Sequence, residues 1–70
     1  MAEAIKRLNE RDLHRRATFA EGMAEIWALH NEPEMQRQEL RFALWYRREI
    51  ERRAACAAMR REWESNANRT

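Results

Sequence analysis

A chain of 70 residues forms a single domain, residues 1–70, whose core is barely large enough for stability. One cysteine, one glycine and one proline exclude a disulfide-stapled fold and leave little material for the turns of a β-sheet. Fourteen Lys and Arg residues against twelve Asp and Glu residues give a net charge of +2. That charge is too small for a polybasic tail, and the sequence has no apolar run of membrane-spanning length.

The first helix is predicted over residues 3–30. Alanine, glutamate, arginine, leucine and methionine dominate the composition, and all of them favour helix. At about 100° per residue, one face carries Ile5, Leu8, Leu13, Phe19, Ala20, Met23, Ile26 and Trp27. Thr18 and Glu21 resemble a capping box beside Gly22, which leaves open a break near Ala17 and a fold of three helices. The apolar spacing continues through this point and favours one helix.

The second helix is predicted over residues 32–65, after a short loop. Asn31 fits an N-cap, Pro33 is tolerated only in the first turn of a helix, and Glu34 stands at the capping-box position. The apolar face of this helix is formed by Met35, Phe42, Ala43, Tyr46, Ile50, Ala54 and Ala57. Because the connection is short, the two helices are expected to be antiparallel.

These elements predict an all-α fold, a two-helix antiparallel hairpin with Ala20 opposite Ala43 and Leu13 opposite Ile50. Such a hairpin buries little apolar surface alone, so two copies are expected to pair as a homodimeric four-helix bundle.

The same register places four charges inside the apolar stripes, with Asp12 near Arg53 and Arg16 near Glu49. Either these side chains pair and fix the register, or the helices splay there and water solvates the charges.

No residues with catalytic or metal-binding spacing stand out. His14 and His30 are far apart and lack a matching nucleophile, and Glu10 with His14 supplies two ligands at most. Cys56 is expected to pack as a small hydrophobe. We therefore expect no enzymatic activity, no cofactor and no metal. A single unpaired thiol fits the reducing cytoplasm.

The second helix has a further face that the hairpin core does not use, which we call the Arg–Trp face. Its members lie within about 80° of one another around the axis: Arg37, Arg41, Trp45, Arg48, Arg52, Met59 and Trp63. Exposed tryptophan among arginines is typical of binding hot spots. The predicted partner-binding residues, with Trp45 as the central anchor, are Arg41, Trp45, Arg48, Arg52, Met59 and Trp63.

Three kinds of partner are candidates for this face. A second copy of the chain would bring part of it into a dimer core, unless the dimer uses other edges such as Ile26, Leu29 and Leu44. A host protein with an acidic and partly apolar surface would pair with the arginines and hold the tryptophans. RNA or DNA would bind the arginine row through its phosphates. The interspersed acids, the small net charge and the single lysine favour the protein over nucleic acid.

In length, in alanine and arginine content and in its expected architecture, the chain resembles two types of small phage and plasmid protein. One is the phage-encoded quorum-sensing anti-activator, a small helical dimer that sequesters a host transcriptional activator. Under that resemblance, the contact patch of this chain would be formed by Arg41, Trp45, Tyr46 and Arg48. The other is the plasmid RNA-binding hairpin dimer that controls copy number, against which the bulky tryptophans argue. The first resemblance implies an inhibitor that occupies the surface of a host protein, such as a transcriptional regulator.

Overall fold

The computed structural model describes residues 2–69, and in that range it contains helices and no strand. The expected all-α class is confirmed. The helices are α1 (Ala2–Arg7), α2 (Glu10–Leu29) and α3 (Pro33–Ala67). Together they form an elongated body of 60 × 20 × 17 Å. Within residues 2–69, none of the helices is both long and apolar enough to span a bilayer.

The first half of the chain is two helices, where the sequence predicted one. The division lies at Leu8 and Asn9, whereas the alternative left open was a break near Ala17. Asn9 has extended backbone angles, and its side-chain oxygen accepts a hydrogen bond of 2.8 Å from the Asp12 N–H. This N-cap satisfies a backbone donor that a new helix would otherwise leave free. The chain is therefore a three-helix arrangement and not the simple two-helix hairpin.

The loop between α2 and α3 is set by Asn31 in a role different from the expected one. Asn31 has a φ of 57°, a left-handed conformation that asparagine tolerates better than most residues. Its N–H donates to the Ala28 carbonyl at 3.1 Å, and the Glu32 N–H donates to the Trp27 carbonyl at 2.9 Å. This pair of bonds is a Schellman motif, which ends a helix. Asn31 thus terminates α2 and is not the N-cap of α3, where Glu32 stands without a side-chain capping bond.

Helices α2 and α3 lie side by side and antiparallel, and small side chains form most of their interface. The buried residues of α2 recur at intervals of three and four positions, and Ala43 is buried on α3; the set is Leu13, Ala17, Ala20, Ala24 and Ala43. This spacing is the seam of a helical pair. Alanines at the seam let the two backbones approach closely, and Leu13 is the large side chain that is fully buried.

Four residues assigned to the core from the sequence lie outside it. Phe19 and Ile26 are exposed on α2, because the alanine seam faces α3 and leaves these larger side chains at its outer edge. Ala54 and Ala57 are exposed on α3. Helix α2 begins only at Glu10, so it does not extend far enough to cover this part of α3.

The ion pairs also differ from the expected ones. Glu21 of α2 pairs with Arg47 of α3 at 2.5 Å. Glu49 is bound by two arginines of its own helix and not by Arg16, which makes no ion pair within residues 2–69. The predicted Asp12–Arg53 pair does not form either. Arg53 instead donates to the carbonyls of Ile5 and Lys6, at 3.4 and 2.9 Å.

Candidate partner-binding surface

All six predicted partner-binding residues lie on α3, a helix about 52 Å long. Their Cα positions follow one face of a single unbroken helix, so the face is continuous from Arg41 to Trp63. All six are exposed: Arg41, Trp45, Arg48, Arg52, Met59 and Trp63. Trp45 and Trp63 are separated by about 27 Å along the axis, so one compact ligand cannot bury both rings.

The two tryptophans are exposed to different degrees. Trp45 has 36% of its surface exposed, and its ring meets Phe42 edge-on at a centroid distance of 5.7 Å and an interplanar angle of 74°. Edge-to-face packing of this kind holds an aromatic ring in one orientation. Trp63 is 72% exposed and Met59 is 69% exposed. The sequence predicted Trp45 as the central anchor, yet Met59 and Trp63 offer more apolar surface to a partner.

Two shallow concavities adjoin Phe42, one on each side of its ring. The concavity on the Arg–Trp side has a volume of about 470 Å³ and is lined by Glu34, Arg37, Gln38, Arg41, Phe42 and Trp45. The concavity on the α2 side has a volume of about 430 Å³ and is lined by Arg16, Phe19, Ala20, Glu39, Phe42 and Tyr46. The first combines an aromatic wall with two arginines, which suits an acidic side chain next to an apolar one.

Arg52 is held by a buried carboxylate at the edge of the Arg–Trp face. Its Nε and Nη2 atoms donate to the two oxygens of Glu49 at 2.9 and 2.6 Å, and the Arg53 Nε donates to Glu49 Oε1 at 3.1 Å. Hydrogen bonds from Arg52 lower the pKa of Glu49 to about 2, opposed by desolvation and reinforced by Arg53. The same contact raises the pKa of Arg52.

The charges on this face are therefore not equivalent. The Arg52 guanidinium is already neutralised by Glu49, and its Nη1 lies 3.9 Å from the Cys56 sulfur. Arg41 and Arg48 form no ion pair in the part of the chain that the structure describes. The same holds for Arg37, so these three arginines of the face are available to an acidic partner.

Beyond Arg53, α3 extends as a segment that we call the distal arm, Ala54–Ala67. It is about 21 Å long, and every residue in it is exposed. It carries the free thiol of Cys56 as well as Met59 and Trp63. Cys56 is therefore not packed as a small hydrophobe, as the sequence suggested.

Sequence reasoning gave less weight to a second set of exposed apolar side chains on α2. Phe19, Ile26 and Leu29 are all exposed there, and Leu40 and Leu44 are exposed on α3. The signal was present in the sequence as a stripe at three–four spacing, on the face of α2 opposite to Leu13 and Ala20. It was hidden because Phe19 and Ile26 were assigned to the core.

The described residues contain no group of three or more His, Cys, Asp or Glu side chains arranged to hold a metal ion. Comparison of the chain with protein families, curated proteins and solved structures finds no match. The functional argument therefore depends on the surface itself.

Proposed function

We propose that this chain is a non-enzymatic binding protein that occupies the surface of a host protein and thereby inhibits or modulates it. The observation that carries the proposal is the Arg–Trp face, whose members are all exposed. The partner offers an acidic and partly apolar surface. A transcriptional regulator is the kind of partner that the resemblance to phage anti-activators implies.

Exposure of Met59 and Trp63 supports this function over a purely structural role for the face. These two side chains are 69% and 72% exposed on a helical arm in which every residue is exposed. Burying large apolar side chains in a partner contributes about 1.5–3 kcal/mol each. Tryptophan and arginine are also the residue types that dominate measured binding energies at interfaces.

Electrostatics sets the expected chemistry of the partner. Arg41 and Arg48 lack an ion-pair partner within residues 2–69, and both lie on the same face as the tryptophans. An acidic surface would approach this face faster and in a preferred orientation. Trp45 and Trp63 would then anchor the two ends of the contact.

We also propose that the chain acts as a homodimer in which the α2–α3 hairpins pair into a four-helix assembly. The seam between α2 and α3 contains alanines and one leucine, a small core for an independent domain. The exposed thiol of Cys56 fits a reducing cytoplasm as the place of action.

The function is tested by affinity capture from nuclease-treated host lysate, comparing wild type with Trp63→Ala and Trp45→Ala. We expect a protein partner that is retained by wild type and lost with the tryptophan variants, at a cost of about 2 kcal/mol or more. Leu40→Ala is the matched control, because Leu40 is an exposed apolar residue of α3 outside the Arg–Trp face. It is expected to retain the partner.

Nucleic acid in place of a protein would contradict the proposal. Material that disappears with nuclease, and an affinity that falls steeply with added salt, would identify an arginine row that binds phosphates. Binding of the same protein by all variants would remove the Arg–Trp face from the function.

A further inference from the structure

Helix α2 carries two stripes of residues at three–four spacing on opposite sides, and only one of them is used within the chain. The inner stripe faces α3 and contains Leu13, Ala17, Ala20, Ala24 and Trp27. The second, which we call the outer stripe, has the same three–four spacing and contains Arg15, Phe19, Gly22, Ile26 and Leu29. All five residues of the outer stripe are exposed, with Phe19 at 69% and Leu29 at 86%. A helix with two such stripes belongs between two neighbours.

Gly22 stands in the middle of the outer stripe and has no explanation inside the chain. A Cβ atom built on it meets nothing within 4 Å, and its backbone is helical with no positive φ. Glycine inside a helix is less favourable than alanine. The feature that a glycine offers at this position is close approach of another backbone.

We infer that a second copy of this chain packs on the outer stripe, with the two α2 helices antiparallel and crossing at Gly22. This inference deepens the proposed function, since it assigns the interface of the proposed homodimer. Phe19 of each copy then lies beside Ile26 of the other. The Arg–Trp faces of the two α3 helices point away from the interface and remain free for partners.

Charge complementarity favours a second copy in this antiparallel arrangement. The N-terminal part of α2 carries three exposed arginines, Arg11, Arg15 and Arg16, against two acids, Glu10 and Asp12, and so has a small positive charge. No lysine or arginine lies between Arg16 and Arg37, whereas this part of the chain contains four glutamates. Glu21 is already paired with Arg47, which leaves Glu25, Glu32 and Glu34 for a second copy. Antiparallel helices crossing at Gly22 bring the basic end of one copy to the acidic end of the other. Arg11 of one copy then faces Glu32 of the second.

The accessible surface area of the chain is large enough for a second copy to pack on the outer stripe. Its accessible surface is 6068 Å², whereas a globular monomer of 8.5 kDa is expected to expose about 4,650 Å². The excess, about 1,400 Å², is larger than the roughly 800 Å² that each partner buries in a standard interface. Dimerisation through α2 removes part of this excess, and partner binding to the distal arm removes another part.

The first test is the dimer dissociation constant of wild type, Gly22→Leu and Ala28→Leu, measured by sedimentation equilibrium. We expect a wild-type dimer and a weakening by about ten-fold or more in Gly22→Leu, because leucine keeps the two helices apart. Space around Gly22 is open within the chain, and leucine favours helix more than glycine does, so circular dichroism should show no loss of helix. Ala28→Leu is the control, because Ala28 is exposed and lies about 120° from Gly22 around the axis of α2.

The second test does not depend on the folding of Gly22→Leu. Arg11→Glu and Glu32→Arg should each weaken the dimer by about five-fold, and the double variant should restore it. Arg11 lies in the first turn of α2, and Glu32 follows the last residue of that helix, Leu29, which is about 27 Å from Arg11 along the axis. Rescue therefore requires contact between copies.

Three results would overturn the inference: a wild-type chain that stays monomeric up to millimolar concentration, a dimer indifferent to both sets of variants, or equal weakening by Ala28→Leu. Capture of the host protein by a monomeric Gly22→Leu variant would leave the proposed function intact. Loss of capture in Trp63→Ala with an unchanged dimer would leave the interface assignment intact.

Discussion

The two ends of α3 belong to one continuous helix but differ in what surrounds them. Residues 33–53 pack against α2 and α1, bury Ala43 and Glu49, and form ion pairs and hydrogen bonds with Glu21, Ile5 and Lys6. The distal arm has the same helical backbone and buries no residue between Ala54 and Ala67. The comparison separates residues that hold the fold from residues that are available to a partner.

The largest effect on stability is expected from Leu13→Ala, in the packed region. Leu13 is fully buried, and leucine-to-alanine changes at such sites cost about 2–5 kcal/mol. A chain of this size has little stability beyond that range, so the variant should be largely unfolded by circular dichroism at 25 °C. A well-folded Leu13→Ala would show that the alanine seam alone maintains the hairpin.

Glu49→Gln is expected to have the next largest effect. The charged hydrogen bonds from Arg52 and Arg53 are weakened, because a neutral amide accepts from a guanidinium less strongly than a carboxylate does. Urea unfolding should show a lower midpoint with an unchanged slope. Glu51→Gln is the control. Glu51 is exposed and lies two residues from Glu49, on a different side of α3.

The Glu49 contact also makes a prediction about pH. The pKa of Glu49 is lowered from 4.5 to about 2 in the folded chain. Its contribution to stability is therefore complete above the unfolded-state pKa and is lost as the pH falls from 4.5 toward 2. The melting temperature of wild type should drop in this interval, and that of Glu49→Gln should drop less. Equal pH dependence in both would assign acid unfolding to other carboxylates.

A smaller effect is expected where α1 meets α2. Asn9→Ala removes the side-chain acceptor of the Asp12 N–H, and loss of an N-cap costs about 1 kcal/mol. Asn9→Asp keeps an acceptor at this position and is the matched control. Thermal unfolding should place Asn9→Ala below both wild type and Asn9→Asp, and equal midpoints for all three would show that the cap is not important for stability.

The smallest effect on stability is expected in the distal arm. Trp63→Ala removes a large side chain that is 72% exposed, and exposed substitutions usually change stability by no more than about 0.5 kcal/mol. Its unfolding midpoint should match that of wild type while capture of the partner is lost. A clear loss of stability would instead place Trp63 inside an assembly core, and the comparison between the two ends of α3 would no longer hold.

Part of the fold follows directly from the sequence. Helix-forming composition predicts the all-α class, and Pro33 predicts a helix start and a loop before it, because proline lacks the N–H that later turns need. The break at Asn9 was not predicted, although Leu8 and Leu13 stand five positions apart with only polar residues between them. A side-chain cap competes with helix continuation at such a residue, and spacing alone does not show which of the two prevails.

The core composition was harder to predict for a related reason. Ala17 and Ala24 form the seam, yet alanine is neutral in a hydrophobic pattern and occurs equally on exposed faces. Phe19 and Ile26 are more hydrophobic and were placed in the core instead. When two helices approach closely on small residues, shape decides which side chains are buried, and larger side chains are left at the edges.

Membership of the Arg–Trp face could be predicted from a rotation of about 100° per residue, but the differences among its members could not. Trp45 is partly covered by Phe42, and Arg52 is neutralised by Glu49. Exposure of Trp63 depends on where α2 begins relative to α3, which is a property of the tertiary structure.

The isolation of the distal arm has a consequence for how tightly a partner is bound. Every residue of the arm is exposed, so backbone hydrogen bonds near its end are expected to open more readily than those near Ala43. A partner that binds Met59 and Trp63 must fix this segment as helix, and the lost conformational entropy reduces the net affinity. A substitution that raises helix propensity at Ser65, an exposed position outside the Arg–Trp face, would pre-organise the arm. The affinity of this protein is thus adjustable at residues that do not touch the partner.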